Sequence, residues 1–126
     1  VAIIARVIMT LDEFFAEDDG SRVLFDVLLS AIEGIGQIEM RISKSQIAFS
    51  RKRAFAWAWI PGKYLKGEQA PLVLSISLGR RDPSDRWKEV VEPTKGRFMH
   101  HLELHHSNEI DEEIHGLLRE AWFEAG

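Results

Sequence analysis

The chain contains no cysteine. This excludes disulfides and thiolate metal sites, and nothing in it calls for an oxidising compartment. A long apolar run is also missing. The opening VAIIARVIM is far shorter than a membrane span and lacks the basic start and small-residue cleavage site of a secretory signal. Residues 1–8 therefore read as an extension or edge segment, followed by one domain over 9–126, with the cytoplasm as the expected compartment. No P-loop, G-x-G-x-x-G, H-E-x-x-H or G-x-S-x-G pattern occurs, so nucleotide hydrolysis and the common hydrolase chemistries have no support. At 126 residues, two separate cores would each be too small to hold together.

What is present is unevenly charged. The net charge of −4 combines an acidic start (two basic and eight acidic side chains in 1–40), a basic middle (seven basic, none acidic in 41–66), a balanced stretch and an acidic end. Residues 41–66 thus form the candidate electropositive face, unless they serve mainly to offset acidic helices beside them.

The periodicity changes along the chain. Thr10-Leu-Asp-Glu13 matches a capping box, and Leu24, Phe25, Leu28, Leu29 and Ile32 recur at helical spacing before Gly34 and Gly36. From Gln37 the period becomes two, and strands are expected over 37–42, 46–50, 54–60, 72–78 and 97–104. Residues 86–92 read as a strand rather than a helix, because Val90-Val91 precedes the turn Pro93-Thr-Lys-Gly96. A closing helix capped at Ser107 or Asn108 carries Ile110, Ile114, Leu117, Leu118, Ala121 and Trp122 on one stripe. The expected class is α+β: an antiparallel sheet of four or five strands with N-terminal and C-terminal helices packed on one face.

Four of the five histidines fall within RFMHHLELHHS. On a strand, His100 shares the apolar phase of Phe98, Leu102 and Leu104, which predicts a core-edge histidine. His101, Glu103 and His105 share the other phase, but residues four apart on a strand stand roughly 13 Å apart, too far for imidazoles to close on one ion. No native metal site and no cofactor are expected. His105 and His106 are expected to be exposed at the corner.

The candidate surface lies opposite the apolar face. If the alanines of AFAWAWI face the helices, Phe55, Trp57 and Trp59 emerge beside Arg41, Ser75, Ser77, His101 and Glu103. If the strand is reversed, the tryptophans are core. The candidate ligand-binding set is Lys44, Gln46, Arg51, Arg53, Trp57, His101 and Glu103, with the basic members placed to hold a phosphate or carboxylate.

Through SKSQIAFSRKRAFAWAW, APLVLSISLGRRDPSDRWKEVVEP and GRFMHHLELHHSNEIDEEIHGLLREAW, the chain resembles an uncharacterised bacterial family of small domains of unknown function. Its members occur alone, notably in actinobacteria, and also attached to nuclease-like domains. The resemblance runs over roughly residues 9 to 125 and implies Met9 as a natural start, with motif positions at Lys44, Ser45, Gln46, Phe49, Trp87, His100 and His101. It implies a single domain and brings no activity with it. Three functions stay open on the residues. The first is a non-enzymatic binding module for an anionic ligand such as a nucleotide or single-stranded nucleic acid. The second is a homodimerisation or interaction domain covered at the aromatic strand, and the third is an enzyme using His101 and Glu103 as acid and base.

Overall fold

Thr10 and Glu13 close a reciprocal cap: the Thr10 amide donates to Glu13 Oε1 at 2.9 Å and the Glu13 amide to Thr10 Oγ1 at 3.0 Å. In the computed structural model, which describes residues 3–7 as backbone and residues 9–16 and 18–126 in full, that cap opens the short helix α1, Leu11–Phe15. Asp18 starts the longer α2, Asp19–Glu33, by accepting from the Ser21 amide. Leu24, Phe25, Leu28 and Ile32 form its buried face. Ser21, buried with them, donates to the Pro71 carbonyl at 2.6 Å and ties the helix to the sheet. Gly34 caps the C-terminus of α2. Gly36 is dictated by a close approach, because a Cβ there would stand 2.5 Å from the Trp122 ring.

Six strands run antiparallel: β2 (Ile38–Ile42), β3 (Ile47–Ser50), β4 (Ala54–Trp59), β5 (Leu72–Leu78), β6 (Glu89–Thr94) and β7 (Arg97–Leu104). β1 (Ile3–Val7) lies in parallel beside β2, giving the order β1-β2-β3-β4-β5-β7-β6. The residues read as an extension or edge segment thus include an edge strand, while Val1, Ala2 and Ile8, like Glu17, lie outside the described residues. The expected count of four or five strands is too low. The strand expected over 86–92 is present as β6, a hairpin arm at the exposed edge that starts at Glu89 and runs on to Thr94, and Gly96 supplies the turn at φ +81°. β7 inserts between β5 and β6, so the last two strands are not in chain order.

α3, Glu112–Glu124, begins later than expected. Glu109 carboxylate accepts the amides of His105 and His106 at 2.6 and 2.7 Å, which closes a single 3-10 turn over Ser107–Glu109. The cap is therefore Asp111, accepting from Ile114 at 3.1 Å, rather than Ser107 or Asn108. α3 buries Ile114, Leu117, Leu118 and Ala121 and packs on β4 and β5. α2 and α3 lie on the same face of the sheet, as expected, where Leu72, Leu74, Ile76 and Leu78 form the centre of the core.

The basic hairpin Arg51-Lys-Arg53 closes on the far end of α3. Lys52 and Arg53 amides donate to the Ala125 carbonyl, the Arg53 guanidinium to Glu124 O at 2.7 Å, and the Arg51 guanidinium stacks on Trp122 at 3.7 Å. Cations here meet the negative end of the helix dipole and its unpaired carbonyls.

His100 is fully buried, deeper than a core-edge position. Its Nδ1 faces the Ile76 and Phe98 carbonyls, its Nε2 accepts the Asp82 amide at 2.9 Å, and its ring lies edge-on to Trp87. Asp82 in turn accepts from Trp87 Nε1, so the loop between β5 and β6 is pinned through one imidazole. His100→Ala is expected to cost roughly 2–4 kcal/mol by urea denaturation, through a cavity and an orphaned amide. Burial holds the His100 imidazole below the ordinary histidine value, against its two carbonyl partners. The unfolded chain therefore takes up protons that the folded chain refuses. Stability is expected to be full above about pH 6.5 and to decline as pH falls below it, before the carboxylates titrate.

Candidate functional site

The face away from the helices is uncovered, and the strand registers place one row of side chains across it. Arg41 pairs with Ala48, Ala48 with Trp57, Trp57 with Ser75, Ser75 with His101, and His101 with Glu89. The row exists because Ala56 and Ala58, both fully buried, face the core and leave Trp57 and Trp59 half-buried on the other side. Small side chains at 56 and 58 admit α3 close to β4.

Phe55 departs from this alternation. Phe49 pairs with Ala56 and Ser50 with Ala54, so Phe55 is the extra residue of a bulge, and its ring is buried in the core rather than lying beside the tryptophans.

A shallow groove of about 470 Å³ lies over this row, lined by Ser45, Gln46, Trp57, Trp59, Tyr64, Ser75, Met99 and His101. A neighbouring groove of about 430 Å³, beyond the wall formed by Trp59 and His101, is lined by Val73, Pro61, Leu65, Lys88, Glu89 and Glu103 as well. On the opposite side, Arg41, Ser43 and Ala48 continue the surface past Gln46 and Trp57. Among the described residues Arg41 has no ion-pair partner, whereas Lys88 and Glu103 pair at 3.1 Å. The floor is a hydrogen-bonded chain: Trp59 Nε1 donates to Ser75 Oγ at 3.3 Å, and Ser75 Oγ lies 2.7 Å from His101 Nδ1. Burial depresses the His101 imidazole, against Glu89, which favours protonation, and with His100, which disfavours it. His101 is thus neutral at pH 7.

The candidate ligand-binding residues separate into four places. Gln46, Trp57 and His101 share the first groove, and Glu103 lies in the second. Lys44 is exposed at the β2–β3 turn next to Ser45 and Gln46. Arg51 and Arg53 stand at the opposite end of β3, occupied with α3, and do not reach the groove. Sequence reasoning missed Trp59 as a hydrogen-bond donor, Tyr64 on the rim and Ser75 as the link to His101. Tyr64 sits in a loop without periodicity, so no pattern marks it.

Chemically, the groove offers two indole surfaces, a phenol, two uncharged hydrogen-bonding side chains from the β2–β3 turn and a neutral imidazole, with the Arg41 guanidinium farther along the same row, two strands from Trp57. The Ser75–His101 contact has the length of a nucleophile–base pair. However, Ser75 is only 3 % exposed and its oxygen already accepts from Trp59. His105 and His106 are exposed at the corner, with their backbone amides taken by Glu109. Among the described residues no three His, Asp or Glu side chains are placed to hold an ion.

Fold and groove together define a small α+β domain with helices on one side of its sheet and an aromatic surface on the other. The chain belongs to the family described as domain of unknown function DUF5655, whose model matches residues 11–123. No curated protein and no solved structure gives a significant match. Of the residues that carry the family resemblance, Ser45, Gln46 and His101 line the groove, while Phe49, Trp87 and His100 are core. No helix among the described residues is long and apolar enough to cross a membrane. Since Trp57 is half-buried, Trp57→Ala is expected to cost about 1 kcal/mol or less by urea denaturation, against the roughly 3–5 kcal/mol of a core tryptophan.

Proposed function

We propose that the domain is a non-enzymatic binding module whose open sheet face takes a planar anionic ligand of the nucleotide type. The observation that carries this reading is the pair of half-buried tryptophans emerging on a sheet face that no helix covers, beside Gln46, Ser45 and His101 and two strands away from Arg41, which has no ion-pair partner among the described residues. Indole faces stack on planar rings, the polar side chains read a ring edge, and a guanidinium with no ion-pair partner among the described residues suits a phosphate or carboxylate. The charges along the row argue for a mononucleotide over a polymer. Arg41 lies at one end, but Glu89 stands at the other, beside the internally paired Lys88 and Glu103, where a continuing phosphate backbone meets no free cation among the described residues.

The apolar surface beside the groove supports a second reading, in which this face closes on another copy of the chain. Tyr64 is 56 % and Leu65 49 % exposed, and Val91 and Met99 continue the patch across β6 and β7. The two readings differ in what covers the tryptophans.

Titration of the four nucleoside monophosphates and a short single-stranded oligonucleotide at low salt, followed by tryptophan fluorescence, separates them. The binding reading expects saturable quenching by at least one mononucleotide and its loss in Trp57→Ala. It also expects affinity about tenfold or more weaker in Arg41→Ala, the worth of one charge-assisted hydrogen bond. No quenching by any probe, with a mass that doubles as protein concentration rises, would replace it with the dimer.

A further inference from the structure

Two neighbouring histidines on β7 hold their protons at opposite ring nitrogens. His100 Nδ1 lies 3.3 and 3.1 Å from the carbonyls of Ile76 and Phe98 and so carries its proton, while Nε2 accepts from the Asp82 amide. His101 is arranged the other way. The Trp59 indole can only donate, and it donates to Ser75 Oγ. Ser75 is buried, and the one other partner of its hydroxyl among the described residues is His101 Nδ1 at 2.7 Å. Its hydrogen is satisfied by passing to Nδ1, whereas the reverse arrangement would leave it buried without an acceptor. The proton of the neutral His101 ring therefore sits on Nε2. That nitrogen is farther from the strand than Nδ1, has no hydrogen-bond partner among the described residues and is open to solvent at the wall between the two grooves.

We infer that the open face presents His101 as a fixed hydrogen-bond donor, held as its Nε2–H tautomer by the Trp59–Ser75 relay, and that the ligand sets an oxygen or an unprotonated ring nitrogen against it. The ligand half of this inference rests on the binding reading above. The tautomer is a property of the free protein and is measured without ligand. The charged groups facing the ring are Glu89 from β6 and the Lys88–Glu103 pair, while β4 and β5 contribute Trp57, Trp59 and Ser75, all uncharged. A fixed donor discriminates between planar ligands of similar size, since one that turns an N–H toward Nε2 leaves two donors opposed.

A long-range proton–nitrogen correlation spectrum of the whole chain near pH 7.5 tests the tautomer. His101 is expected to show a protonated Nε2 and a bare Nδ1, and His100 the reverse. Ser75→Ala is expected to give His101 a mixture of tautomers while His100 stays unchanged, which certifies that the core is intact. A protonated Nδ1 on wild-type His101, or a tautomer indifferent to Ser75→Ala, overturns the relay. For the ligand half, His101→Gln keeps an N–H at similar reach. It should hold the affinity for the best-binding nucleoside monophosphate within about threefold, while His101→Leu should lower it about tenfold. Equal affinity in His101→Leu and wild type overturns the donor role. Absence of binding by every mononucleotide, with the tautomer as stated, supports the fixed donor and overturns the nucleotide reading alone.

Discussion

The packing of Ala56 and Ala58 under α3 sets the phase of the entire sheet. A strand has two faces, and a slip of one residue exchanges them completely. With two methyl groups turned toward the helices, β4 must send both tryptophans the other way, and the ladders to β3 and β5 carry that choice outward. Met40, Phe49, Ile76 and His100 then fall inside. Arg41, Ala48, Ser75 and His101 fall outside in one line. The groove is thus a consequence of how closely a helix approaches one strand.

Much of this architecture could be read from residue order. The reciprocal cap at Thr10, the apolar stripe of α2, the strand alternation and the burial of His100 follow from local chemistry that the surroundings reinforce. The phase of β4 could not be read, because alanine and tryptophan alternate equally well in either orientation, and the decision belongs to α3, more than fifty residues away. The position of Phe55 was hidden for a related reason: a bulge breaks the alternation locally, and no glycine marks it.

The basic middle of the chain shows how a charge pattern misleads when its partner is distant in sequence. Arg51, Lys52 and Arg53 look like a ligand cradle when counted along the chain. In space they meet the carbonyl end of the last helix and the Trp122 ring, which in turn covers Gly36. Arg41, a single cation in the strand alternation of β2, is the one that shares a surface with Trp57. The Trp59–Ser75–His101 chain was equally illegible. It requires β7 to pair with β5, and chain order alone would have put β6 there.

Helices on one side only divide the labour of the sheet. Leu72, Leu74, Ile76 and Leu78 answer to the core, whereas Ser75 and Ser77 between them answer to side chains of the outer face, Trp59, His101 and Arg97. A substitution on the outer row therefore alters the groove while leaving the packed side largely as it was. Selection can change the outer row without first having to restore folding, so the scaffold and the surface it carries are free to diverge at different rates.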